Sequence, residues 1–210
     1  MEALANNIMT REDLLKAGYR FGDYLVQKNP FIKMLAISGS LTNDDYLTHD
    51  DIDYFVITER GRIWECFASC LFYGYLYAKQ MKKSRTFFCF NYLIDEEYVE
   101  DEIQVNGKSA REIINLKVIY GRETYRDILR IKESIADYYP SEYKEKISEN
   151  DVSPISTRKK GLPFILAKPL FRPVAKFFEM KRKFKYGNHA DYTINKIYSN
   201  AHTIRSHFHR

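Results

Sequence analysis

Three cysteines, a single tryptophan and no long apolar run mark this 210-residue chain by what it lacks. An odd cysteine count without regular spacing argues against a disulfide framework and for a reduced, cytoplasmic setting. Cys66 and Cys70 stand four apart on an expected helix, yet no second pair completes a zinc site, and they read as packing residues. The longest uncharged, largely apolar stretch, Cys66–Ala78, has thirteen residues and includes three tyrosines. It is too short to span a bilayer core about 30 Å thick. Met1–Asn7 lacks the basic-then-apolar pattern of a secretory leader. No internal repeat is present.

What remains is an ordinary globular composition, 45% hydrophobic and 29% charged, long enough for one cored domain or a domain with an appendage. Its 17 tyrosines and 14 phenylalanines suit a β-containing core and suit base stacking equally well. Charge is unevenly spread. Thr157–Gly187 holds ten basic residues and one acid, Glu179, a local net of +9 that leaves −4 on the rest of a chain whose total is +5.

That basic segment, RKKGLPFILAKPLFRPVAKFFEMKRKFK, contains Pro163, Pro169 and Pro173, which argue against one continuous helix before about Val174. Docked on the core, it would lend cations to a triphosphate or a polyanionic acceptor. On an anionic membrane surface each basic residue would add about 1 kcal/mol, giving a peripheral membrane position. Against RNA or DNA it would grip phosphates, although no recognisable nucleic-acid module accompanies it. The plainest alternative is a helix packed by its apolar side with a solvated basic face.

Local signals outline the elements. A helix is expected over Arg11–Gln27 with Thr10 as N-cap and an apolar face of Leu14, Leu15, Tyr19, Leu25 and Val26. Gly18 and Gly22 count against it, and Asn29-Pro30 ends it. Strands follow at Lys33–Ser38, Asp51–Thr58 and Thr86–Ile94, the last apolar on both faces. Between the second and third strands, Arg62–Met81 reads as a helix apolar on nearly every side, hence well buried. Ser109 with Glu112 forms a capping-box pattern for a helix through Tyr120, closed by Gly121. Glu123–Ala136 is a further helix, and Ser141–Ser156 the best linker. Strands first and helices later predict an α+β fold: a small mixed sheet flanked by helices, with a helical C-terminal half.

Chemistry concentrates in ISGSLTNDDYLTHDDIDYFVIT, Ile37–Thr58. In Asp51-Ile52-Asp53 the period of a strand puts both carboxylates on one face. Two like charges side by side are costly unless a cation joins them, and Mg²⁺ takes one or two protein carboxylates while keeping water and substrate phosphates. Gly39-Ser40 supplies a complementary turn, where backbone can approach a phosphate closely and N–H groups and a hydroxyl can hold its oxygens. Carboxylates for metal beside a small-residue turn for phosphate suit nucleotidyl transfer. The bland alternatives are a solvated strand end and an ordinary turn.

Gly-Ser, ten residues, then Asp-x-Asp in an apolar strand resembles the nucleotidyltransferase superfamily that includes DNA polymerase beta and aminoglycoside nucleotidyltransferases. More narrowly, GSLTNDDYLTHDDIDYFVITERGRIW, FCFNYLI and AREIINLKVIYGRETYRDIL are similar to uncharacterised bacterial proteins described as nucleotidyltransferases. This likeness covers about Lys33–Leu129, with a weaker echo in Ala201–Arg210. It implies that Asp51 and Asp53 ligate Mg²⁺ and that Gly39 and Ser40 hold the phosphates of a nucleoside triphosphate. It further implies that a hydroxyl of an unidentified acceptor attacks the α-phosphorus and pyrophosphate leaves. On this reading residues 1–105 form the nucleotidyltransferase-like core and 106–210 a helical C-terminal region that includes 157–187.

One departure matters. Superfamily members that are active usually carry a third carboxylate on a later strand, and Thr86–Ile94 has none. Asn91 sits where it is expected; an amide can ligate metal or hydrogen-bond a base or sugar, but cannot serve as general base. Asp95 and Glu96 would substitute only if the chain bent back. Arg62 either forks onto a triphosphate or is a surface residue at a helix start. Trp64 reads as core, and His49 as a surface turn. His202, His207 and His209 do not share one helical face, which argues against a metal site there. A catalytically degenerate nucleotide-binding protein, and an adaptor built on the basic segment, stand as alternatives to an enzyme.

Overall fold

In a computed structural model, residues 9–43, 51–83, 87–148, 173 and 203–205 are described. Helix α1, Arg11–Lys28, starts at a capping box in which Thr10 and Asp13 satisfy one another's backbone N–H groups. Strand β1, Ile32–Ser38, runs into a short 3-10 turn, Gly39–Thr42, and β2, Ile52–Thr58, returns beside it. Helix α2, Ile63–Gln80, then crosses over to β3, Phe88–Asp95, which lies parallel to β2. A helical crossover of this kind is what a parallel pair requires.

After a 3-10 turn at Glu96–Tyr98 come α3, Val99–Glu102, α4, Gly107–Ile114, and β4, Lys117–Tyr120. Helix α5, Arg122–Ile131, a 3-10 turn at Glu133–Asp137 and α6, Pro140–Ser148, follow, and β5 is Thr203–Arg205. The sheet order is β4-β1-β2-β3-β5, with β1–β2, β1–β4 and β3–β5 antiparallel. The fold is therefore α+β with a mixed five-stranded sheet, as the order of strands and helices predicts. β4 and β5 both come from beyond residue 105, so the sheet draws on both sides of that expected boundary.

Alternation along β2 divides the core. Ile52, Tyr54 and Val56 pack with α1 and α2, while Phe55 and Ile57 pack with residues of α3, α4 and α5. Both faces are covered, so every apolar residue of β2 is buried. Phe21 is the hub of the first layer: its ring stacks on Phe88 at 4.0 Å and meets Tyr54 edge-on at 5.8 Å. Much of the aromatic excess is thus core. Gly18 and Gly22 earn their place in α1 by proximity, since a Cβ at Gly18 would lie 2.8 Å from Ile37 Cδ1 and one at Gly22 would collide with Ile119. The Tyr54 phenol also donates to the Gly18 carbonyl at 2.7 Å. Cys66 and Cys70 are buried, unbridged thiols, each accepting from the buried Asn29 amide.

Several expectations are corrected. The face of α1 turns about Phe21 and Leu14, and Tyr19 is exposed. Ser109 is not an N-cap: Asn106 takes that place, accepting from the N–H groups of Lys108 and Ser109. The helix stops at Ile114, and Lys117–Tyr120 is a strand because Val118, Ile119 and Tyr120 fill the open edge of β1. Gly121 consequently opens α5 instead of closing a helix. Helix α2 is not buried all round, as Phe72 (50% exposed), Tyr75 and Leu76 face outward. Pro140–Ser148 is α6, which occupies the first half of the expected linker; the remainder of it lies outside the described residues, as do His49, the basic segment apart from residue 173, and His202, His207 and His209.

Candidate metal centre

Asp51 immediately precedes β2 and Asp53 is its second residue. In register, Asp53 faces Ser38 on β1 and Cys89 on β3. Two residues apart on an extended chain, the acids share a face. Ligand atoms of Asp51, Asp53 and Cys89 lie within 4.8 Å of one another, with Asp51 exposed and the other two half-buried. These three could hold a metal ion.

The Cys89 thiol donates to Asp51 Oδ2 at 3.7 Å. Burial first, then the charges of Asp53 and Asp51 and this hydrogen bond, push its pKa up to about 12. Each cause disfavours a third negative charge beside the two carboxylates. The thiol is therefore protonated in the ion-free cluster.

The tight bend belongs to the same place. Gly39 has a φ of +75°, and a Cβ there would overlap Asp53 Oδ2 and lie 3.1 Å from its Cγ. Only glycine lets the backbone turn in the left-handed region against that carboxylate. The Gly39 carbonyl accepts from Thr42 Oγ1 at 2.9 Å and Asn43 Nδ2 at 3.3 Å, and the Ser40 carbonyl accepts from the Asn43 N–H at 3.1 Å. Distant elements pin the turn. Arg11 at the start of α1 donates through Nε to the Leu41 carbonyl and through Nη2 to the Asn43 carbonyl, both at 3.1 Å. Asn115, after α4, donates to Asn43 Oδ1 at 2.9 Å.

Gly39, Ser40, Asp51 and Asp53 are thus brought to one end of the sheet. Arg62 is not. It follows the opposite end of β2, more than about 15 Å along the strand from Asp53 at about 3.3 Å per residue, where it pairs with Glu65 at 3.4 Å and covers the Phe31 ring. Asp95 and Glu96 lie at that far end too, Asp95 in register with Thr58. Asp95 accepts from the N–H groups of Gly61 at 2.6 Å and Glu97 at 3.2 Å, and Glu96 pairs with Lys33. Neither substitutes for a third carboxylate at the centre.

Asn91 is in β3, but its side chain lies outside what is described. Asp53 pairs with Cys89 and Phe55 with Tyr92, so a bulge at Phe90 and Asn91 adds a residue opposite Tyr54. Among the described side chains of β3, Cys89 is the one beside the acids. Sequence reasoning missed it because the pairing of β3 with β2 joins residues 36 positions apart and leaves no local sign. Arg11, Asn43 and Asn115 were missed as well, since their partners stand up to 72 positions away. Trp64 packs partly buried against the core.

No protein family, curated protein or solved structure matches the chain. Among the described residues no helix is long and apolar enough to cross a membrane.

Proposed function

We propose that this protein is a nucleotidyltransferase that moves a nucleoside monophosphate from a nucleoside triphosphate to a hydroxyl of an acceptor. One observation carries the reading: the left-handed turn at Gly39 sits on the Asp53 carboxylate, and Asp51 stands within ligand distance of it. The donor set fits Mg²⁺ through its carboxylates. Two carboxylates suit this hard cation, whereas the Cys89 sulfur does not, so Asp51 and Asp53 are the residues that would hold it. Bound there, Mg²⁺ would neutralise phosphate oxygens and the charge that develops on the leaving pyrophosphate. The chain itself contributes the rest. Gly39 and Ser40 present backbone to the phosphates, and Arg11, Asn43 and Asn115 keep that turn in one conformation before ligand arrives.

A second reading has its own support. The resemblance implies a third carboxylate on the later strand, where Asn91 stands instead; the residue in register with Asp53 is Cys89, and a thiol of raised pKa is a poor base for a hydroxyl. A nucleotide-binding protein that performs no transfer fits that substitution. Calorimetric titration with nucleoside triphosphates, with and without Mg²⁺, reports binding; labelled triphosphate with candidate acceptors reports pyrophosphate release. Mg²⁺-dependent binding lost on Asp51→Asn with Asp53→Asn supports both readings, and release separates them. Binding unaffected by that double change removes both. The adaptor reading rests on residues 157–187, which apart from 173 lie outside those described; sedimentation with anionic liposomes and RNA over a salt series tests it, and no pelleting at low salt ends it.

A further inference from the structure

A second site lies at the edge of the sheet formed by β4. There a cavity of about 100 Å³ is lined by Lys117 of β4, Arg122 and Arg126 of α5 and Lys146 of α6, with Tyr19 of α1 and Tyr125 closing its sides. Four basic residues from three elements line it. No acid lines it among the described residues. Arg122 and Arg126 are four apart on one helix, a like-charge spacing that destabilises an isolated helix, and Lys146 brings a third charge to the same hollow. Arg122, Arg126 and Lys146 have other contacts besides; what distinguishes the cavity is the sign of its lining. The Tyr19 phenol is raised by burial, with the nearby Arg122 charge opposing that rise, so the cation acts on a partly desolvated wall. Tyr125 is fixed by donating to the Ile113 carbonyl at 3.1 Å.

We propose that this pocket binds a phosphate group carried by a small molecule. A carboxylate offers one charge and two oxygens in a plane, whereas a phosphate presents three terminal oxygens and up to two charges to donors arriving from several sides. The size agrees. The cavity holds several waters' worth of space but falls below the roughly 300 Å³ at which pockets enclose a whole drug-sized ligand. One phosphate enters and the remainder of the ligand stays outside. Lys117 pairs in register with Ile37, two residues before Gly39. Ile37 in turn faces Tyr54, so Lys117 belongs to the Tyr54 face of the sheet and Asp53 to the opposite one, and the pocket is a site apart from the acids.

The test uses the full chain and inorganic phosphate, titrated by calorimetry with metal chelated, beside sulfate and acetate. Saturable phosphate binding is expected, with acetate at least roughly tenfold weaker, a gap typical of one charge-assisted hydrogen bond. Arg126→Gln and Lys146→Gln should each weaken phosphate by about the same factor. Lys117→Gln, at an exposed position, gives a variant whose folding is not at issue, and it should weaken binding in the same direction. Asp51→Asn with Asp53→Asn should leave phosphate affinity unchanged, which separates this pocket from the metal centre. The proposal is overturned if phosphate does not bind, if the three basic-residue variants bind it as wild type does, or if the double Asn variant loses it.

Discussion

Asp95 and the pair Asp51 and Asp53 occupy opposite ends of the same two neighbouring strands, and the chain treats them in opposite ways. At the far end, Asp95 is 3% exposed and accepts from two backbone N–H groups supplied by the turns on either side of it. Its charge is answered by fixed donors, and the carboxylate ties the β2–α2 connection to the end of β3. At the near end, two acids and a thiol are turned toward one another within 4.8 Å, and a glycine is held in a left-handed turn against one of them. The first arrangement stabilises a fold. The second invites a cation, because like charges brought together by strand register gain nothing from each other.

The comparison can be broken most severely at the far end. Asp95→Ala leaves two backbone donors without their carboxylate, and unfolding in urea should show a loss of about 3 kcal/mol. Divalent-ion binding by the folded variant should be unchanged. Gly39→Ala comes next: a left-handed non-glycine residue costs about 1–2 kcal/mol, and its Cβ displaces the Asp53 carboxylate. Here stability and divalent binding, read by calorimetry, should fall together. Cys89→Asp sharpens the contrast by adding a third hard donor. Divalent affinity should rise roughly tenfold as ligand charge increases, and stability without the ion should fall; a rise in pyrophosphate release would favour the enzyme over the degenerate binder. Smallest of all is the effect of Asp51→Asn with Asp53→Asn on ion-free stability, within about 0.5 kcal/mol of wild type by urea unfolding. A loss comparable to that of Asp95→Ala would make the near end structural too.

What could be read beforehand follows the range of the forces involved. Thr10, Asn29, the β-branched run of β2 and the alternation of Asp51 and Asp53 act over a few residues, and their signals are visible in the linear chain. Gly39 beside Asp53 was legible as chemistry, a small-residue turn paired with acids, although the packing of one on the other was not. The strand at Lys117–Tyr120 looked helical because its sequence continues the pattern of α4; only the open edge of β1 decides it. Cys89 meets Asp53 only through the pairing of β3 with β2, which its sequence neighbours do not announce. Arg11 and Asn115 hold the turn at Leu41 and Asn43 across separations of 30 and 72 positions, where neighbouring residues carry no trace of the contact. Arg62 shows the converse: close in sequence to the acids, it stands beyond the other end of their strand at a helix start, the second of its two readings.

The most direct test is a crystal structure of the chain soaked with Mn²⁺ and a non-hydrolysable nucleoside triphosphate, read by anomalous scattering. The account predicts an ion bonded to carboxylate oxygens of both Asp51 and Asp53, with the triphosphate resting on the Gly39–Thr42 turn. An ion bound elsewhere, or a triphosphate that leaves that turn untouched, would contradict it.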